Sequence, residues 1–164
     1  DGVTGVQTCA LPIFSDTPDV PGTRTFCPSD HPRIVTSATF MHIPTGIRVS
    51  VLNTHFPLTR DEDIQLACAR VVESQFVSVP EFIPVVLMGD FNAPPDGGLY
   101  GFFTRSGAGT GRGFRDTRPL APKVLGPAGT VHGFRGGLPP ASRRIDWVLF
   151  AGEGEVSRDR KSVV

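Results

Sequence analysis

Residues 84–96, PVVLMGDFNAPPD, limit the possible folds more than any other stretch of the chain. The apolar run from Val85 to Met88 stands between Pro84 and Gly89 and gives way at once to polar side chains. A short continuous apolar run bounded by breakers fits a central strand covered on both faces. The strand should end at Gly89. Asp90 and Asn92 then flank Phe91 in an extended step, so the two polar side chains point one way and the phenyl ring points back into the core. Pro94, Pro95, Gly97 and Gly98 break regular structure beyond it. A carboxylate and a carboxamide two residues apart at a strand end can orient a water and receive an oxyanion or a metal-bound ligand. The same residue types also make Asx turns there.

Around this strand the chain reads as one α/β domain. Residues 33–43, RIVTSATFMHI, carry Ile34, Thr36, Ala38 and Phe40 on one parity, a strand pattern. Pro44, Thr45 and Gly46 supply a tight turn. Residues 47–55, IRVSVLNTH, return as a second strand, with Ile47, Val49, Val51 and Asn53 on one face and Arg48, Ser50, Leu52 and Thr54 on the other. Strands joined this closely pair as an antiparallel hairpin. Residues 60–78 follow as a helix, with Thr59 as N-cap and Asp61, Glu62 and Asp63 in its first turn. Ile64, Ala67, Cys68, Val71, Val72, Gln75 and Phe76 recur at helical spacing and form its buried stripe. A helix that returns into a buried strand argues α/β layering.

Further on, residues 99–104 read as a short helix. The glycine-rich residues 107–113 read as a flexible linker, since they follow no strand and open no helix. Residues 130–134 read as a short strand and residues 143–150, RRIDWVLF, as a stronger one with Asp146 inside its apolar run. A carboxylate placed there needs a partner. The partner is either a structural one, Arg143 or Arg144, or an active-site network.

Lysine and arginine (16) balance aspartate and glutamate (16), so no whole-molecule field draws nucleic acid or a membrane. Between Arg105 and Arg144, eight basic residues face the single acid Asp116, a cluster that suits phosphate or a solvated loop face. No apolar run has the length of a transmembrane helix and no leader pattern is present, which leaves localisation open. Cys9, Cys27 and Cys68 are odd in number and irregular in spacing, and give neither a disulfide framework nor a zinc site. Cys68 lies in the helical stripe and reads as a small buried hydrophobe. Residues 14–32 read as an irregular loop that cannot form a core by itself. Residues 1–13 and 158–164 resemble translated sequencing adapter or disordered termini, and are set outside a domain of residues 14–157. On that reading the domain is a piece cut at both sides.

Taken in order, VLNTHF, VVLMGDFNAPPD, GTVHGF and RIDWVLF resemble the endonuclease/exonuclease/phosphatase superfamily, the metal-dependent phosphodiesterases and phosphatases related to DNase I. The resemblance runs from Ser15 to Phe150. It implies an incomplete four-layered α/β sandwich that lacks its N-terminal half and final strand. It implies that His55 contacts the scissile phosphate, that Asp90 orients or deprotonates the attacking water, and that Asn92 holds that water and a phosphate oxygen. Asp146 would join the acid network. Asn53 and Arg143 would contact substrate, and Asp90, Asn92 and Asp146 would hold Mg²⁺ or Mn²⁺. The implied partner is a phosphoester: nucleic acid, a phospholipid head group or a small phosphate ester, with no stable protein partner.

The departures are specific. The family's upstream asparagine and glutamate and its closing Ser-Asp-His have no counterpart here, and Phe56 and Pro57 stand where Leu-Asp often follows the histidine. His42 and His132 fit no family motif and read as surface or strand residues. A fragment without those groups should be inactive and should expose an apolar sheet face. The alternative function is a non-catalytic binding or scaffold domain that keeps the fold.

Overall fold

In the computed structural model, which describes residues 3–28, 31–105, 112–131 and 143–152, the described strands form one mixed sheet in the order β1-β2-β3-β4-β6-β5. The strands are β1 (Val3–Ala10), β2 (Val35–His42), β3 (Ile47–His55), β4 (Val85–Asp90), β5 (Arg115–Asp116) and β6 (Asp146–Ala151). The helices are α1 (Glu62–Val77), α2 (Gly98–Thr104) and α3 (Thr117–Leu120).

β2 and β3 form the expected antiparallel hairpin, in register from His42↔Ile47 to Val35↔Thr54. Its turn closes on the His42 carbonyl, which accepts from Gly46 N at 2.8 Å, with Gly46 in the left-handed region at φ +69°. His42 is exposed at this turn and its Nδ1 lies 2.7 Å from Thr45 Oγ1. α1 connects β3 to β4, which pair in parallel from Ser50↔Val85 to His55↔Asp90. The helix begins two residues later than residue 60, because Asp61 rather than Thr59 is its N-cap. The Asp61 carboxylate accepts from Asp63 N and Ile64 N, while Thr59 Oγ1 accepts from Asp61 N.

The core lies on one face of the sheet. Leu52, Val85, Leu87, Trp147 and Leu149 are buried there against Cys68, Val72 and Phe76 of α1. Burial pushes the Cys68 thiol up to about 12, as befits an inert core residue. Phe14 joins this core and packs on Phe56 at 5.1 Å, so the irregular segment 14–28 contributes an anchor.

The other face corrects the expectation that β4 is covered on both sides. Val51, Val86 and Phe150 are only half-buried, and Met88 and Val148 are 37% and 45% exposed. No described layer stands over them. An open apolar face of this kind promotes self-association. Light scattering of the chain is therefore expected to rise steeply with concentration, and Val148→Lys to reduce that rise. Unchanged scattering in the variant would contradict this arrangement.

Three further expectations are corrected or fall outside the described residues. Val3–Ala10, set outside the fold from its sequence, forms edge strand β1, paired with β2 through two register shifts. Backbone pairing with an edge strand makes few demands on residue type, which is why sequence pattern did not reveal it. Thr130 and Val131 are not in a strand but donate their N–H groups to the Arg143 carbonyl. His132, most of the glycine-rich stretch and residues 158–164 lie outside the described residues. Among the described residues no helix is long and apolar enough to cross a membrane.

Candidate active site

Three of the expected site residues stand in one row across three adjacent strands. His55 at the end of β3 is the Cα partner of Asp90 at the end of β4, and Asp90 is the partner of Asp146 at the start of β6. Residues directly opposite share a face of the sheet, and strand alternation sets these three on the face away from the core. Each is followed by an aromatic residue that points into the core: Phe56, Phe91 and Trp147. Phe91 stacks on Trp147 at 4.2 Å and lies 5.3 Å from Phe56. A polar row above is thus held by an aromatic cluster below. Asp90 and Asp146 are like charges directly opposite each other, an unfavourable pairing in a sheet unless something uses it.

The turn after β4 is built from the same groups. Asp90 Oδ1 accepts from Asn92 N at 2.8 Å, an Asx turn. Asn92 sits at φ +50°, so the step from Asp90 to Asn92 is not the extended one expected. Its Nδ2 donates to the Phe56 carbonyl at 2.9 Å, which leaves Oδ1 as the side chain's acceptor. Phe56 N donates to the Asp90 carbonyl at 2.8 Å, and Phe91 N to the Ile145 carbonyl at 2.8 Å. Asp90 Oδ2 lies 3.5 Å from His55 Nε2. Turn chemistry and site geometry are therefore one set of bonds.

Asp146 is exposed at the strand start rather than buried within the run, and among the described residues no ion pair joins it to Arg143 or Arg144. Arg144 binds Asp116 instead, through both guanidinium Nη atoms. Asp116 also accepts from Tyr100 Oη at 3.0 Å and from Arg118 N at 3.0 Å. This buried knot, not visible in the sequence, ties α2, α3 and the entry to β6 together two residues before Asp146. Thr130 Oγ1 adds a further hold, accepting from Ile145 N and Asp146 N at 3.1 and 3.3 Å.

Burial by itself would raise the Asp116 carboxyl, but hydrogen bonds from Arg144, Arg118 N and Tyr100 and the Arg144 charge hold it below its usual 3.8. A depressed carboxyl contributes stability that is present above its unfolded pKa and lost as pH falls through its folded one. Arg144→Met removes the cation and leaves burial dominant. We expect a loss of about 3 to 5 kcal/mol at pH 7, as for other buried pairs broken on one side. The deficit relative to wild type should shrink as the pH is lowered towards 4, since the neutral carboxyl no longer needs a partner. Urea unfolding at the two pH values measures this; a deficit independent of pH would contradict the assignment.

Asn53 is exposed two residues before His55 on the same face, and lines an open pocket of about 250 Å³ with Arg33, Thr36 and His55. Arg33 was not recognisable from its type. It becomes so only in the folded chain, where its Nη1 lies 2.9 Å from His55 Nδ1. Arg143 is exposed and is located through its carbonyl, which accepts from Thr130 N. The basic cluster is partly structural: Arg112 donates to the Val79 and Ile83 carbonyls and lies over Phe76, and Arg118 donates to the Pro127 carbonyl. Asp90, Asp146 and Asn92 Oδ1 are hard oxygen donors of the kind Mg²⁺ takes, but they supply only part of an octahedron. Among the described residues no group of three His, Cys, Asp or Glu side chains is placed to hold a metal ion.

No family model matches the chain, and no curated protein matches it. Solved structures do. An endonuclease/exonuclease/phosphatase from Bacteroides vulgatus aligns at a TM-score of 0.77 and 22% identity, over 92% of this chain and 55% of that one. The fold is DNase I-like. A mannosyl-6-phosphatase from Bacteroides thetaiotaomicron aligns at 0.74 and 21% identity, over 93% of this chain and 54% of that one. The human Nocturnin catalytic domain with a bound sulfate anion aligns at 0.58 and 15% identity, over 90% and 48%. The chain spans about half the length of these DNase I-like structures. The α/β class expected from sequence agrees with them.

Proposed function

We propose that this chain belongs to a phosphoesterase in which an activated water hydrolyses a phosphodiester or phosphomonoester. The observation that carries the reading is the row His55, Asp90, Asp146, which sets a proton-donating group beside a carboxylate pair at the end of the sheet. In this reading Asp90 orients the water and takes its proton, and Asn92 Oδ1 receives a hydrogen bond from the same water. His55 donates to a phosphoryl oxygen as charge builds on it. Asn53 and Arg143 contact the substrate, and Asp146 completes the acid network. Asp90, Asn92 and Asp146 would hold Mg²⁺ or Mn²⁺, with water and substrate phosphate filling the remaining positions. Bound there, the metal would take charge off the phosphoryl oxygens.

The shared fold of a mannosyl-6-phosphatase, and of a domain that holds a tetrahedral sulfate, supports a phosphoryl group as the recognised element. A second reading, a non-catalytic domain that keeps the fold, draws on the incomplete donor set among the described residues. Hydrolysis of bis-(p-nitrophenyl) phosphate and p-nitrophenyl phosphate, with Mg²⁺ and with EDTA, separates the two. The chain as given should turn over neither ester measurably. A version extended to the full length of the matching structures should turn over at least one, and EDTA should abolish it. An extended, folded protein inert towards both would favour the second reading.

A further inference from the structure

Both ring nitrogens of His55 are engaged, from opposite sides. Nδ1 lies 2.9 Å from Arg33 Nη1, and Nε2 lies 3.5 Å from Asp90 Oδ2. A guanidinium has five N–H donors and no acceptor, so the Arg33 contact is a hydrogen bond only when Nδ1 carries a lone pair. The proton of the neutral ring then resides on Nε2, the atom that faces Asp90. Which tautomer an imidazole adopts is set by the partner at its other nitrogen.

The placement of Arg33 is over-determined by its backbone. Its carbonyl accepts from Phe14 N at 2.9 Å, and the next carbonyl, of Ile34, accepts from Thr54 Oγ1 at 3.0 Å. Phe14 in turn is buried against Phe56, the residue after His55. The guanidinium thus approaches the imidazole from a frame that is pinned to the same aromatic cluster that holds the site. Arg33 and His55 also share the wall of the open pocket beside Asn53, so the ring they define faces a space that a ligand can enter.

We propose that Arg33 is a positioning residue that holds His55 as its Nε2–H tautomer. Its functional meaning rests on the phosphoester reading, whereas its geometry does not. An Nε2–H ring offers a donor and no lone pair towards Asp90 and the pocket. His55 is then the hydrogen-bond donor to a phosphoryl oxygen, and the carboxylate of Asp90 is the group left to accept the proton of the attacking water. Without the Arg33 donor the ring can present either nitrogen, and only one of the two forms is competent.

Long-range ¹H–¹⁵N correlation spectra of the histidine rings in the full chain test this directly, with His55 assigned by the signals lost in His55→Asn. Wild type should show His55 protonated at Nε2 and unprotonated at Nδ1. Arg33→Met should move it from a single tautomer to a mixture. Arg33→Lys, which keeps a donor without an acceptor, should restore the Nε2–H form. A wild-type ring protonated at Nδ1, or a tautomer unchanged in a folded Arg33→Met, would overturn the proposal. If Arg33→Met does not fold, the wild-type and Arg33→Lys spectra decide it, because both must show Nε2–H. The readout is the ring itself, so it stands or falls independently of whether any phosphoester is hydrolysed.

Discussion

Gly89→Ala should prevent the chain from folding. Gly89 sits at φ +145°, where L side chains are strained, and a Cβ built on it would lie 1.9 Å from the Thr54 carbonyl oxygen of the neighbouring strand. That oxygen is backbone within the β3–β4 pairing, next to its last pair, so it cannot swing aside as a flexible side chain would. Relief requires β3 and β4 to separate at the point where His55 and Asp90 are paired. We expect a loss of more than about 5 kcal/mol, comparable to the whole stability of many domains. Far-UV circular dichroism and urea unfolding of the variant would show it. A midpoint within error of wild type would mean that the two strands do not approach as closely as described.

Gly89 also illustrates what could be read from the sequence and what could not. As a breaker after Val85–Met88 it correctly marked the region where the strand ends, although the strand runs one residue further, to Asp90. Its tight contact with Thr54 depended on the register of a parallel pair, which no local pattern specifies. Phe91 behaved as its position between two polar residues implied, and is fully buried. The hairpin and the buried stripe of α1 were legible for the same reason: short-range periodicity reports burial directly.

The candidate site was half legible. The residue types of His55, Asp90, Asn92 and Asp146 were distinctive in their motifs, and the structure brings His55, Asp90 and Asp146 into one row while turning Asn92 towards the Phe56 carbonyl. The supporting residues were not legible. Asp116, Tyr100 and Arg144 meet across separations of 16 and 28 residues, and Arg33 reaches His55 across 22. Such pairs have no spacing rule, since each depends on how strands already paired bring distant segments together. Of the two partners open to Asp146 in the sequence, Arg144 is the one removed on this point, because it is committed to Asp116.

The open apolar face adds a constraint on where activity can be sought. It borders the row that carries His55 and Asp90, so whatever covers Met88 and Val148 would also wall the site on one side. Excluding water there would strengthen the electrostatic work of His55 and the carboxylates. Activity measurements therefore belong on a protein extended to the length of the matching structures.

On that extended protein, the decisive measurement is the turnover number for the better of the two nitrophenyl phosphates, in Mg²⁺, for wild type and Asp90→Ala. Asp90 is assigned the proton of the attacking water, a role whose removal slows reactions by about 10² to 10⁴-fold. Its Oδ1 also holds the turn through Asn92 N, so unfolding curves must accompany the rates to show that the variant is folded. Metal-dependent turnover in wild type, with a fall of that size in a folded Asp90→Ala, is the outcome the site requires. Turnover that survives Asp90→Ala unchanged would contradict it.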